Sequence, residues 1–141
     1  MDKIDISNFI DKTISKTRER NLRWKTINPD FLIKPLPGEH DFLSFDGTTN
    51  ELSRNNSYFA SFKTGVLLLL VFEPAFSSFP IEPPDSCMLS LRMQDEKSKY
   101  AIEISNTESD IFNATELIRL YNLIDKDSSS VSALIDDFLN S

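Results

Sequence analysis

Histidine is the side chain most often used for proton transfer near neutral pH, and this 141-residue chain has one, His40, in the run Gly38-Glu39-His40-Asp41. An imidazole between two carboxylates could hold a weak metal. A metal site, however, takes three or four donors converging on one point, and residues adjacent in sequence do not supply that. His40 therefore reads as part of a solvated loop. The single cysteine, Cys87, would act as a nucleophile only beside a base in an electropositive setting, whereas its alternation with Leu89, Leu91 and Met93 places it in a core. One cysteine also permits no internal disulfide, which fits a reducing compartment. The three glycines, Gly38, Gly47 and Gly65, stand nine or more residues apart, so there is neither a phosphate-cradling loop nor a dinucleotide fingerprint. The carboxylate pairs Asp95/Glu96, Asp125/Asp127 and Asp136/Asp137 fall at expected turns or helix ends, where charge is ordinarily solvated. No catalytic residue, cofactor or metal is expected, and the chain reads as non-enzymatic.

What remains is binding. Net charge is −7, but residues 1–37 carry eight Lys/Arg against five Asp/Glu while residues 38–141 carry seven against seventeen. An acidic body of this kind repels phosphate backbones and favours a basic partner. Lys12, Lys16, Arg18, Arg20, Arg23 and Lys25, with Trp24 among them, form a local basic stretch. It argues weakly for nucleic acid, because helical spacing spreads the charges around an axis, Glu19 interrupts them, and Trp24 reads as a core anchor. Two segments are better interaction candidates. One is the proline-stiffened connection 74–84, with Phe76, Phe79 and Ile81, which either docks a partner or folds back over a sheet face. The other is the acidic C-terminal region, where Asp125, Asp127, Asp136 and Asp137 fall within thirteen residues.

These residues need elements to hold them. Ile6, Phe9, Ile10, Ile14 and Thr17 recur with helical spacing and predict a helix over about 4–19. A first strand is expected over 22–27, ended by Asn28-Pro29. Residues 28–57 read mostly as loop, with a short strand around Phe42 to Phe45 and a turn signal at Asp46-Gly47. Residues 58–63 and 66–72 read as a hairpin about Thr64-Gly65. The second of these strands is apolar throughout, so it belongs in the middle of a sheet with both faces covered. The alternations of Cys87, Leu89, Leu91 and Met93 and of Tyr100, Ile102 and Ile104 give a half-buried hairpin. Asn113 with Glu116 suggests a capping box with Phe112 and Leu117 as a hydrophobic staple. Leu117, Leu120, Tyr121 and Ile124 stripe the helix that follows, and Val131, Leu134, Ile135 and Phe138 a last short one. The order predicts a single α+β domain, 1–141, with an N-terminal helix, a mainly antiparallel sheet of about five or six strands and two C-terminal helices.

The opening Met1-Asp2-Lys3-Ile4-Asp5 is unlike a secretory signal. The longest apolar run, seven residues over 66–72, is far short of the roughly 18 that span a bilayer. A cytoplasmic protein with no membrane partner is expected.

The pattern Phe9, Thr13, Thr17, Leu22-x-Trp24, then a sheet, then Leu117-x-x-Leu120-Tyr121-x-x-Ile124 resembles small uncharacterised bacterial α+β proteins, some found near toxin-immunity or mobile-element loci. The resemblance spans most of the chain, rests on packing residues and implies fold more than function. The leading expectation is a non-catalytic protein-binding module, in its most concrete form an immunity or inhibitor protein against a basic effector. The alternative is a small-molecule binding module with an apolar pocket between sheet and helices, lined by some of Trp24, Phe59, Phe62, Phe72 and Tyr100. A third reading is a homodimer paired through an exposed strand edge.

Overall fold

The computed structural model describes residues 5–27, 33–34, 42–45, 48–53, 56–74, 87–128, 135 and 138–140. Helix α1 (Ile6–Arg18) opens on Asp5, whose carboxylate accepts the Asn8 amide at 3.0 Å, satisfying one of the donors that a helix start leaves free. It buries Ile10, Thr13, Ile14 and Thr17. The two threonine hydroxyls are met inside, donating to Phe9 O at 2.8 Å and Thr13 O at 2.7 Å. Strand β1 (Trp24–Thr26) follows and is shorter than the expected 22–27. Trp24 anchors it as expected, donating its indole N–H to Thr17 Oγ1 at 2.9 Å.

Strands β2 (Phe42–Phe45) and β3 (Thr48–Leu52) form a hairpin in a region read mostly as loop. The turn signal Asp46-Gly47 lies outside the described residues. Strands β4 (Tyr58–Phe62) and β5 (Gly65–Pro74) make the expected second hairpin, with Phe62 paired to Gly65, so that Lys63 and Thr64 form the turn. Glycine is required at 65 by close approach, since a Cβ there would lie 2.6 Å from Gln94 O. Strands β6 (Met88–Gln94) and β7 (Ile102–Asn106) complete the seven strands found among the described residues, all paired antiparallel as expected.

β5 is the axis of the sheet. One of its edges pairs with β6 over Val66 to Phe72; the other pairs with β4 over Gly65 to Leu69 and then with β3 over Phe72 to Pro74. Its alternating side chains fill two layers, as an apolar run in a central strand must. Leu69 and Val71 pack with Leu89, Leu91 and the helices. Leu68, Leu70 and Phe72 pack with Ile27, Met88 and Ala101 on the other face.

Helix α2 (Ile111–Ser128) buries Leu117, Leu120, Tyr121 and Ile124 against the first layer, which is the stripe the sequence shows. Its start differs from the expected one. Asp110 is the cap, accepting the Asn113 amide at 3.3 Å and the Asn113 side-chain amide at 2.8 Å. Asn113 thus sits in the first turn, and Phe112, expected to staple the helix start, is 85% exposed. α1 and α2 are the helices that stand as elements among the described residues, and the second C-terminal helix expected over 131–138 falls largely outside them. No helix of the described residues is long and apolar enough to cross a membrane. The architecture is α+β.

The β6–β7 hairpin is more enclosed than its alternation suggested. Ser90, Arg92 and Gln94, on the side expected to face water, are buried. Ile102, expected to point inward, is 59% exposed. The register shifts beside Leu91 and Arg92, so that Glu103 pairs with Arg92 and Ser105 with Leu91. This bulge puts Glu103 and Asn106 on one face although they are three residues apart.

Candidate functional site

Of the residues singled out for partner binding, Phe76, Phe79, Ile81, Asp136 and Asp137 lie outside the described residues, and Asp127 belongs to the last turn of α2. Asp125 is one turn from the end of the same helix and is half-buried. Its Oδ1 accepts the Tyr58 hydroxyl at 2.9 Å, and the Tyr58 ring lies 6.2 Å from that of Tyr121. Burial, with Asp125 next in importance, drives the Tyr121 hydroxyl well above its ordinary pKa. This carboxylate therefore joins helix to sheet as well as contributing charge.

Near the C-terminus the described residues expose apolar side chains. Ile135, Phe138 and Leu139 are exposed by 52%, 79% and 70%, on either side of Asp136 and Asp137 in sequence. Helical spacing suggested that Ile135 and Phe138 would face inward, and they do not. A second apolar pair, Ile111 and Phe112, is exposed by 80% and 85% at the start of α2. The signal that could have exposed it is Asp110 three residues before Asn113, which moves the cap back and turns Phe112 outward.

An enclosed polar cluster lies on the sheet face away from the helices. Arg92 is 1% exposed and Glu103 27%, with 3.6 Å between Arg92 Nη2 and Glu103 Oε2. Ser90 Oγ donates to Glu103 at 2.6 Å and accepts from Arg92 Nε at 2.9 Å, while Asn106 Nδ2 donates to Glu103 at 2.6 Å. The guanidinium also lies 5.6 Å from the Phe72 ring centre. These contacts compensate a charge taken out of water, which is costly unless paired and hydrogen-bonded. The cluster offers hydrogen bonding and an ion pair.

A groove of about 620 Å³ runs between the β4–β5 and β6–β7 turns, bounded by Lys34, Lys63, Lys97, Asp95 and Glu96. The Lys34 ammonium donates to the carbonyls of Asp95 and Ser98. The Ser98 hydroxyl and then the Ser98 amide, both donating to Asp95 Oδ1 at 2.6 Å, hold the Asp95 carboxyl below the ordinary carboxylate range. The charges here serve the turn.

Cys87 packs, partly buried, against the helix-side core, as its alternation suggests, and His40 lies outside the described residues. No set of three or more His, Cys, Asp or Glu able to hold a metal is present among the described residues. The residues named for an apolar pocket are divided by the sheet: Phe59 and Phe72 belong to the layer away from the helices, Trp24 and Phe62 to the helix side. Tyr100 stands outside both layers, beneath the Lys99 ammonium at 5.5 Å. Lys12, Lys16 and Arg18 are exposed along α1, while Arg20, Arg23 and Lys25 border a common groove. No family model, curated protein or solved structure matches this chain.

Proposed function

We propose that the chain is a non-catalytic protein-binding module that takes a basic partner at its acidic, apolar C-terminal surface. The observation that supports this is the exposure of Ile135, Phe138 and Leu139 beside Asp136 and Asp137. Exposed large apolar groups rimmed by charge are the usual composition of a docking surface, with the apolar groups supplying affinity and the charges the encounter rate. A partner with cationic side chains around an apolar ridge is complementary to it. The most concrete form of this reading is an immunity or inhibitor protein acting in the cytoplasm against a basic effector.

Affinity capture from the source lysate tests it, with the wild type set beside Phe138→Ser/Leu139→Ser and Asp136→Lys/Asp137→Lys variants, at low and high salt. The expected result is a basic protein held by the wild type, released by salt from the charge-dependent encounter, and lost from both variants. Equal recovery by wild type and variants would reject this surface.

A further inference from the structure

We infer that the groove between the end of α1 and the β1–β4 edge binds a small phosphate-bearing anion through Arg20, Arg23 and Lys25. This is a second site, on residues separate from the C-terminal surface.

The strand period builds half of it. Lys25 pairs with Phe59, and Trp24 with Ala60; side chains on a strand alternate, so Arg23, Lys25, Phe59 and Ser61 share the face away from the helices while Trp24 turns inward. The other half comes from the end of α1, where Arg20 and Asn21 reach the same groove. Among the described residues its lining carries three cations, an amide, a hydroxyl and an aromatic ring, and no carboxylate. Beside it, Glu19 Oε2 accepts the side-chain amide of Asn21 at 3.3 Å. Arg20, Arg23 and Lys25 are all exposed. Guanidinium forks match phosphate oxygens in pairs, and a lysine ammonium adds a point charge.

The backbone supplies the second observation. α1 ends with the Arg20 amide donating to Thr17 O at 3.1 Å and the Asn21 amide to Lys16 O at 2.8 Å. This is the Schellman arrangement, in which the residue past the cap is left-handed and is ordinarily glycine. Here it is Arg20, at φ 63°, the one non-glycine residue with positive φ among those described. A side chain at this angle carries a steric cost that glycine would not. This turn carries the Arg20 side chain to the border of the cationic groove.

Size selects the class of ligand. The groove holds about 330 Å³, at the small end of sites for single small molecules. A nucleic-acid strand would have to run on over a body in which residues 38–141 carry seventeen acids against seven bases, and such a field opposes it.

Pyrophosphate is the probe, followed by calorimetric titration and thermal unfolding of the whole chain at low ionic strength. The wild type should bind it and melt at a higher temperature in its presence. Arg23→Ala/Lys25→Ala, two exposed substitutions, should weaken binding at least about tenfold, since the loss of even one charge-assisted contact is worth that much. Arg20→Gly should weaken binding, and Arg20→Lys, which keeps a cation at the same place, should weaken it less. That order separates a ligand contact from a structural one. Absence of pyrophosphate binding, or binding unchanged in Arg23→Ala/Lys25→Ala or in Arg20→Gly, would overturn the assignment. So would a single-stranded oligonucleotide that binds this face more tightly than pyrophosphate and tightens with length.

Discussion

Asp110 gathers more polar contacts than its place in a turn would suggest. Its Oδ2 accepts from Ser105 Oγ at 2.7 Å and from Asn113 Nδ2 at 2.8 Å, and its Oδ1 from the Asn113 amide at 3.3 Å. Asn113 Oδ1 in turn accepts the Ser7 hydroxyl at 2.8 Å, so one carboxylate fixes the start of α2, its approach from β7 and its contact with α1. The Asn113 and Ser105 side chains, in that order, hold the Asp110 carboxyl below the ordinary range. Replacing the cap, Asp110→Ala, is expected to cost about 1 kcal/mol at neutral pH in urea unfolding. A depressed folded pKa means that the folded chain binds the proton less readily than the unfolded one. The contribution is therefore complete above the unfolded value of about 3.9 and disappears as pH falls through the folded one. Wild type and variant should converge in stability below about pH 4. A gap that persisted undiminished into strong acid would show that the carboxylate's charge is not what the cap uses.

Among the elements, β5 sets the problem that the rest of the sheet solves. It has ten residues, and the edge opposite β6 is shared by two shorter strands, β4 and β3, which leave a gap near Val71. Ser57 bridges it: its hydroxyl donates to Ser53 O at 2.6 Å and accepts the Val71 amide at 2.9 Å, while Ser53 N donates to Val71 O at 2.8 Å. Ser57 is fully buried, so Ser57→Ala leaves the Val71 amide without its acceptor, while Ser53 O keeps the Asn56 amide at 3.2 Å. The expected loss is about 1–3 kcal/mol in chemical denaturation, and a change within experimental error would mean that water or a backbone shift satisfies the Val71 amide. Neither this junction nor β3 was legible in the sequence. Thr48-Thr49-Asn50-Glu51-Leu52 has little apolar period, and its pairing with β5 is a long-range choice. The β4–β5 hairpin was legible because a short turn and an uninterrupted apolar run are local signals. β6 was read as half-buried because Ser90, Arg92 and Gln94 look like a wet face. What reverses that reading is mutual pairing with Glu103 and Asn106, made possible by a bulge that leaves no local mark in the sequence. The site was legible to a similar degree: acidity near the C-terminus is plain from composition, whereas the convergence of Arg20, Arg23 and Lys25 depends on how α1 ends.

At the scale of the molecule, charge and core are separated along the chain. The buried apolar residues of both layers, among those described, end at Ile124, while the acidic and apolar side chains proposed for docking come later. The fold and the docking surface should then be separable by truncation. A chain ending after Ser128 retains α1, the seven strands and all of α2. It loses Asp136 and Asp137 together with Ile135, Phe138 and Leu139, and these three apolar side chains, being exposed, give up little buried area themselves. Its melting temperature should lie within about 4 °C of the full chain, the shift that roughly 1 kcal/mol produces in a domain of this size. Capture of the basic partner should be abolished, while pyrophosphate binding at Arg20, Arg23 and Lys25 should persist. A large drop in melting temperature would place the C-terminal segment in the core. Retained capture by a stable truncated chain would move the docking surface elsewhere, with exposed Ile111 and Phe112 the next residues to substitute.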